Sequence, residues 1–219
     1  MTSTVIAIDG PAAAGKGTLA KQLAAHFDFA HLDTGALYRA TAFEALAAGL
    51  NPESPDFDAA ATDCAKTLNA VILNDPAIRR DDVGQMASKV AVIPGVRAAL
   101  LDFQRQFASH PPSGKAGAVL DGRDVGTVIC PQADLKLFIT ASDAARARRR
   151  YEELVARGDT GADYGQVLAD LIARDKRDSE RAAAPLSQAA DAVLLDTTEL
   201  DIEAALKAAL KICAARLGQ

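Results

Sequence analysis

The run Gly10-Pro11-Ala12-Ala13-Ala14-Gly15-Lys16-Gly17-Thr18 carries the residue types that hold a polyphosphate. Gly10 and Gly15 tolerate positive φ and let backbone come close to a ligand. The N–H groups of such a loop, with those that open a following helix, converge on one point and favour an anion there. Lys16 adds an ammonium that can follow the β- and γ-phosphates of a nucleotide, and Thr18 adds a hydroxyl suited to Mg2+. The commonest form of this loop has Ser or Thr directly after the Lys, whereas here Gly17 intervenes.

Two further polar clusters could work beside it. Asp33-Thr34-Gly35-Ala36-Leu37-Tyr38-Arg39 follows one apolar run and Asp121-Gly122-Arg123-Asp124 follows another. Asp121, at the end of an apolar strand beside a phosphate loop, is placed to orient water on Mg2+. Arginine makes a third cluster, since eight of the fifteen fall between Arg146 and Arg181. Arg148 and Arg150 read as a solvated helix face with Glu152 and Glu153 nearby. Arg174, Arg177, Asp178 and Arg181 recur at helical spacing, so one face presents three guanidiniums around a carboxylate. Such forks hold phosphate and spread charge during phosphoryl transfer. The intervening Arg157-Gly158-Asp159-Thr160-Gly161 predicts a turn between helices, and the stretch from about 157 to 181 reads as a lid.

The elements that must position these groups are short apolar runs separated by helical periods. Thr4–Asp9, Phe29–Asp33, Gly117–Asp121, Leu135–Ile139 and Ala192–Asp196 predict five strands without polar alternation, hence strands covered on both faces. Leu19, Leu23 and Phe27 mark a helix beginning near Gly17, and further helices are predicted over 36–48, 143–156, 163–177 and 202–216. This alternation implies an α/β fold: three layers around a five-stranded parallel sheet with right-handed crossovers. Ligands of such sheets bind beyond the carboxyl ends of the strands, which is where the polar clusters fall. Residues 56–116 delay the third strand and read as an insertion, with helices over 56–68, 82–92 and 95–109, a possible strand at Ala70–Leu73 and a turn at Asn74-Asp75-Pro76.

At 219 residues the chain suits one core with an inserted subdomain, and 49% hydrophobic with 24% charged residues is a globular composition. A net charge of −5 argues against nucleic acid as the main partner. Cys64, Cys130 and Cys213 are isolated, as expected of reduced thiols in the cytoplasm, and His26, His31 and His110 form no ligand pattern. No apolar run approaches the length of a membrane span, and the first strand begins too early for a signal peptide.

The motifs together resemble those of bacterial cytidylate kinases, within the nucleoside monophosphate kinases, where Gly-Lys-Gly-Thr is a familiar loop ending. The resemblance rests on Gly-Pro-x-x-x-Gly-Lys-Gly-Thr at 10–18, Asp-Thr-Gly-Ala-Leu-Tyr-Arg at 33–39 and Asp-Gly-Arg-Asp-x-Gly-Thr-Val at 121–128. Arg-Asp-x-Arg-Asp at 174–178 and Arg-Ala-x-Ala-Pro-Leu at 181–186 extend it. It implies transfer of phosphate from ATP to CMP or dCMP with Mg2+, on a phosphate-loop fold with a core of residues 1–49 and 110–219. It also implies a monophosphate-binding insertion at 50–109 and a short Arg-rich lid. Residues 10–18 would hold the ATP phosphates. Thr34, Tyr38 and Arg39 would lie by the monophosphate, Ser88, Arg97 and Asp124 by the cytosine edge, and Arg174 and Asp178 near sugar and phosphate. Lys16, Arg123, Arg149, Arg174 and Arg181 would supply positive charge at the reacting phosphates, and Thr18 and Asp121 (through water) would serve Mg2+.

The family often has Gly where Ala13 stands, and its insertion usually holds a small antiparallel sheet for which Ala70–Arg80 is too short. UMP or AMP as acceptor, a non-catalytic nucleotide switch and an RNA-binding protein are the rival readings. The second nucleotide site implied by the 33–39 and 121–124 clusters weighs against the switch, and the acidic balance against RNA. A monomer is expected.

Overall fold

The computed structural model describes residues 3–218. Strands β1 (Thr4–Asp9), β2 (Ala30–Asp33), β3 (Gly117–Asp121), β4 (Leu135–Thr140) and β5 (Val193–Asp196) form one all-parallel sheet in the order β2-β3-β1-β4-β5. The helices are α1 (Lys16–Phe27), α2 (Thr34–Ala47), α3 (Phe57–Lys66), α4 (Asp81–Val90), α5 (Pro94–Ser109), α6 (Asp143–Ala156), α7 (Tyr164–Glu180) and α8 (Ile202–Leu217).

Successive strand side chains point to opposite faces, so each apolar run feeds two cores. Ile6, Ile8, Val119, Leu135, Leu137 and Ile139 pack with Leu19 and Leu23 of α1 and Ala209 and Cys213 of α8. Ala7, Leu32, Ala118 and Leu120 face the other way, into a layer containing Leu37 of α2, Phe57 of α3, Val83 and Val90 of α4, and Val96 and Leu100 of α5. These are the three layers and five parallel strands anticipated. β1 lies centrally, and chain connections leave it towards β2 on one side while β4 leads to β5 on the other. The mouth beyond its carboxyl end is therefore the switch point of the sheet.

Two local expectations are corrected, and one unassigned segment gains a structure. Ala70–Leu73 is not a strand: Ala70–Asn74 winds into a 3₁₀ turn because the Asn69 side chain accepts the Val71 N–H (3.0 Å). Asp75 repeats this cap at Ala77, ahead of a second 3₁₀ turn, Pro76–Arg79, with Pro76 at its first position. α2 starts at Thr34, two residues early, because Asp33 caps it through Ala36 N–H (3.1 Å). Val125–Ile129, unassigned from sequence, forms a π turn.

That turn is braced to β1. The buried Asp9 carboxylate accepts N–H bonds from Val125 (2.8 Å) and Gly126 (2.7 Å), fixing the segment after β3 against the phosphate loop. Burial outweighs those two donors and raises the Asp9 carboxyl to about 6, with Asp124 adding repulsion. The folded chain thus holds a proton between pH about 4 and 6 that the unfolded chain has released. The Asp9 contribution is present below pH about 4 and is lost as pH rises through about 6, a change of about 3 kcal/mol. In urea unfolding, the stability of wild type relative to Asp9→Asn is expected to fall by that amount between pH 4 and 7. A gap independent of pH would contradict the assignment.

Gly10 permits the loop to cross β4 at close quarters: its φ is +144°, and a Cβ there would lie 1.9 Å from the Ile139 carbonyl oxygen. Gly10→Ala is expected to lower unfolding free energy by roughly 3 kcal/mol or more, since backbone has to give way. Wild-type stability in that variant would contradict this packing.

Candidate active site

The phosphate loop emerges from β1 and closes on α1, whose N-cap is Gly15 at φ +89° with no side-chain cap. The first-turn N–H groups therefore remain directed at the mouth of the loop. Ala13 adopts φ +57°, the left-handed region, without being glycine. Lys16 is buried at the base, its Nζ donating to the Pro11 carbonyl (2.7 Å). Burial pushes its ammonium down to about 7; Arg123 pushes the same way, while Asp121 and Asp9 oppose. Thr18 lies exposed on the first turn of α1.

In front of the loop is a cavity of about 470 Å³, a size suited to a small-molecule ligand. It is lined by the loop, the start of α2, the segment after β3, α4, α6 and α7. Nine cationic and seven anionic side chains face it. In a chain of net charge −5 this local reversal marks a place for an anion.

The lining groups are held by one another. Asp33, besides capping α2, accepts from Arg39 Nη2 (2.6 Å); burial alone would raise its carboxyl, but Arg39 outweighs this and holds it below the usual range. Thr34 Oγ1 donates to the Asp121 carbonyl (2.9 Å), tying the two clusters across β2 and β3. Asp121 Oδ1 is bonded to His31 Nε2 (2.7 Å), and Oδ2 lies beside Gly17. Asp178 pairs with Arg123 Nε (2.9 Å); against the effect of burial, Arg123 and Arg174 hold its carboxyl low. Asp124 is bonded by Arg97 on one oxygen and by Arg181 Nη2 (3.3 Å) on the other, and Arg97 lies over the Tyr38 ring at 5.8 Å. Ser88 lines the cavity from α4.

Two guanidiniums remain partly unengaged. Arg39 Nε and Arg174 Nε are buried with no hydrogen-bond partner among the described residues, and both residues line the cavity. Burial, followed by repulsion from Arg123, lowers the Arg174 guanidinium to about 10. Guanidiniums that line a cavity with part of their donor capacity unused by the protein suit a ligand rich in acceptor oxygens.

The structure brings together Lys16, Thr34, Tyr38, Arg39, Ser88, Asp121, Arg123, Asp124, Arg174, Asp178 and Arg181 as cavity-lining residues, with Arg97 directly behind Asp124. It does not bring in Arg149. That guanidinium donates to Thr197 Oγ1 (3.1 Å) and the Leu200 carbonyl (3.3 Å), because its place on α6 faces the loop after β5. Thr197 Oγ1 in turn donates to the Ala14 carbonyl (3.1 Å), so Arg149 sits behind the phosphate loop. Arg177 is also displaced: it is exposed and reaches Gln85, and the third guanidinium around Asp178 is Arg123. Arg148 is exposed as expected, but Arg150 is not a solvated residue; it bonds Asp81 on α4 as well as Glu153 (2.9 Å). His31 braces the site through Asp121, and Arg146 and Asp175 bond the phosphate loop at Ala12 from outside the cavity lining; sequence alone does not single them out. Strand register is the signal that could find His31, since it sits on β2 beside β3 two positions before the Asp33–Asp121 pair.

Residues 6–215 match the family described as Cytidylate kinase. A protein named cytidylate kinase from Paramagnetospirillum magneticum is 58% identical over 210 residues, covering 96% of this chain and 97% of that one. Another of the same name, from Xanthobacter autotrophicus, is 57% identical over 212 residues, covering 97% and 98%. Among solved structures, an uncharacterized protein from Eubacterium ventriosum superposes with a TM-score of 0.56 at 15% identity, covering 98% of this chain and 100% of that one, a likeness of fold alone. A family match along nearly the full length, with relatives this similar end to end, means that the chain belongs to the cytidylate kinase family.

Proposed function

We propose that this kinase transfers the γ-phosphoryl group of ATP to the phosphate of CMP or dCMP, giving ADP and CDP or dCDP. The observation that carries the reading is that the guanidinium residues Arg39, Arg123 and Arg174 line one cavity together with Lys16 and the phosphate loop. That arrangement offers two phosphate stations within one cavity. The loop of residues 10–18 takes the ATP phosphates, and Arg39, Arg123 and Arg174 take the acceptor phosphate. The reaction needs no nucleophilic side chain, since an oxygen of the acceptor phosphate attacks the γ-phosphorus and the β–γ bridging oxygen leaves with ADP. Lys16, Arg123, Arg174 and Arg181 stabilise charge shared between the two stations.

Asp121 and Thr18 fit Mg2+ binding: the cation commonly takes one or two protein oxygens, keeps water and fills its sphere with substrate phosphates. When bound, Mg2+ neutralises charge on the β- and γ-phosphate oxygens. Asp121 would hold it through water and Thr18 through its hydroxyl, with His31 fixing the Asp121 carboxylate.

We assign residues 50–109 to monophosphate binding and about 157–181 to a lid over a core of 1–49 and 110–219. Gly84, Gln85 and Ser88 from the first segment and Arg174 from the second meet at the cavity, which supports this division. Both phosphate stations are built from residues of a single chain, which supports a monomer. The free Cys64, Cys130 and Cys213 support a cytoplasmic enzyme. Cytosine offers an amine donor beside a ring-nitrogen acceptor, which suits the Asp124 carboxylate together with Arg97 and Ser88; uracil would set a carbonyl against the carboxylate.

Lys16→Ala is expected to lower kcat by about 10²–10³-fold with the melting temperature little changed, while Arg148→Ala leaves kcat near wild type. Near-normal turnover in Lys16→Ala would contradict the role of the loop. Asp124→Asn is expected to shrink the ratio of kcat/KM for CMP over UMP by roughly 5–150-fold, the worth of one buried mismatch of about 1–3 kcal/mol. Equal losses with both acceptors would show that Asp124 does not read the base.

A further inference from the structure

Arg146 and Asp175 take no part in the scheme above, yet together they bond the phosphate loop on both sides of Ala12. The Arg146 side chain is only 4% exposed. Its Nε donates to the Ala141 carbonyl (3.1 Å), Nη1 to the Ala12 carbonyl (3.0 Å) and Nη2 to Asp143 Oδ1 (2.5 Å), while Asp175 Oδ2 forms an ion pair with Nη1 (2.5 Å). The other oxygen of Asp175 accepts the Ala12 N–H (3.4 Å). Both peptide groups flanking Ala12 are therefore engaged by this pair, and Lys16 holds the carbonyl of Pro11.

The next residue is Ala13, in the left-handed region at φ +57°. An L-alanine is disfavoured there relative to glycine, because its Cβ crowds the following carbonyl. Left alone, the Ala12–Ala13 stretch would turn towards a right-handed or extended conformation and carry its N–H groups away from the mouth of the loop. We infer that Arg146 and Asp175 are positioning residues that clamp the Ala12 peptides and so keep Ala13 left-handed, preforming the loop for a polyphosphate. Asp175 adjoins Arg174 on α7, so the same contact ties delivery of the Arg174 guanidinium to a correctly shaped loop. The clamp rests on the assignment of residues 10–18 to the ATP phosphates. It adds why a loop with Ala at position 13 can do what glycine would otherwise make easy.

A clamp and a merely fold-stabilising ion pair differ in their dependence on residue 13. ADP binding to the full chain, measured by calorimetry, is compared in wild type, Ala13→Gly, Asp175→Ala and the double variant. Asp175→Ala is expected to weaken ADP binding about tenfold with Ala at position 13, and no more than about threefold with Gly there, because glycine holds the turn without a clamp. The same loss in both backgrounds would overturn the clamp.

The ligand-free protein gives a readout that does not depend on the nucleotide assignment. Ala13→Gly is expected to raise the melting temperature in wild type, where the turn is enforced, and to raise it by less than about half as much in Asp175→Ala, where it has relaxed. Equal gains overturn the clamp whatever the nucleotide data show, whereas a failure of wild type to bind ADP at all contradicts the proposed function. Should Asp175→Ala not fold, Asp175→Asn replaces it in both comparisons. That variant keeps an acceptor for Ala12 N–H but removes the negative charge that faces Arg146, and equal effects in the two backgrounds overturn the clamp as before.

Discussion

Positive charge withdrawn from water is the constraint on which this structure depends. Lys16 is buried with its ammonium pushed down to about 7, and Arg174 is half-buried and lowered to about 10. Both would be expensive to hold in isolation. The surrounding carboxylates of Asp33, Asp121, Asp124 and Asp178 compensate in part, and each is itself pinned to a guanidinium, a histidine or a helix cap. Cations still outnumber anions at the cavity wall, and that remaining excess is what an incoming polyphosphate neutralises.

Such an arrangement needs a rigid frame. The parallel sheet supplies it by ending β1, β2 and β3 at the same edge: Asp121 pairs with Asp33 on one side and with Ile8, the residue before Asp9, on the other. Asp9 ties the segment after β3 to β1, Thr34 ties it to α2, and Arg149 with Thr197 supports the phosphate loop from behind. α4 and α7 then close two sides of the space. Arg150 on α6 reaches Asp81 at the start of α4, an ion pair that spans the two walls.

Much of this is legible in the chain because strands buried on both faces leave an unmistakable pattern. Ile6 and Ile8 feed one core while Ala7 feeds the other, and the polar clusters following each run can be placed at one sheet edge without coordinates. Local capping is less legible: Ala70–Leu73 has strand-like composition, yet Asn69 and Asp75 wind it into 3₁₀ turns through single side-chain contacts. The arginines show the limit most clearly. Helical spacing groups Arg174, Arg177 and Arg181, but which residue faces Asp178 depends on where β3 ends, and that favours Arg123. The run Arg146–Arg150 contains one buried clamp, one exposed residue, one loop support and one cross-wall pair, and only the packing partners distinguish them.

The proposed pair of phosphate stations and the proposed reading of cytosine by Asp124 have a direct kinetic signature. Release of ADP by the wild-type protein, measured with ATP and Mg2+ against CMP, dCMP, UMP and AMP in turn, reads it. ADP release should depend on the acceptor, with kcat/KM for CMP and dCMP exceeding that for UMP and AMP by roughly tenfold or more. ADP release indifferent to the acceptor, or strongest with AMP, would contradict both the second station and the base-reading pocket.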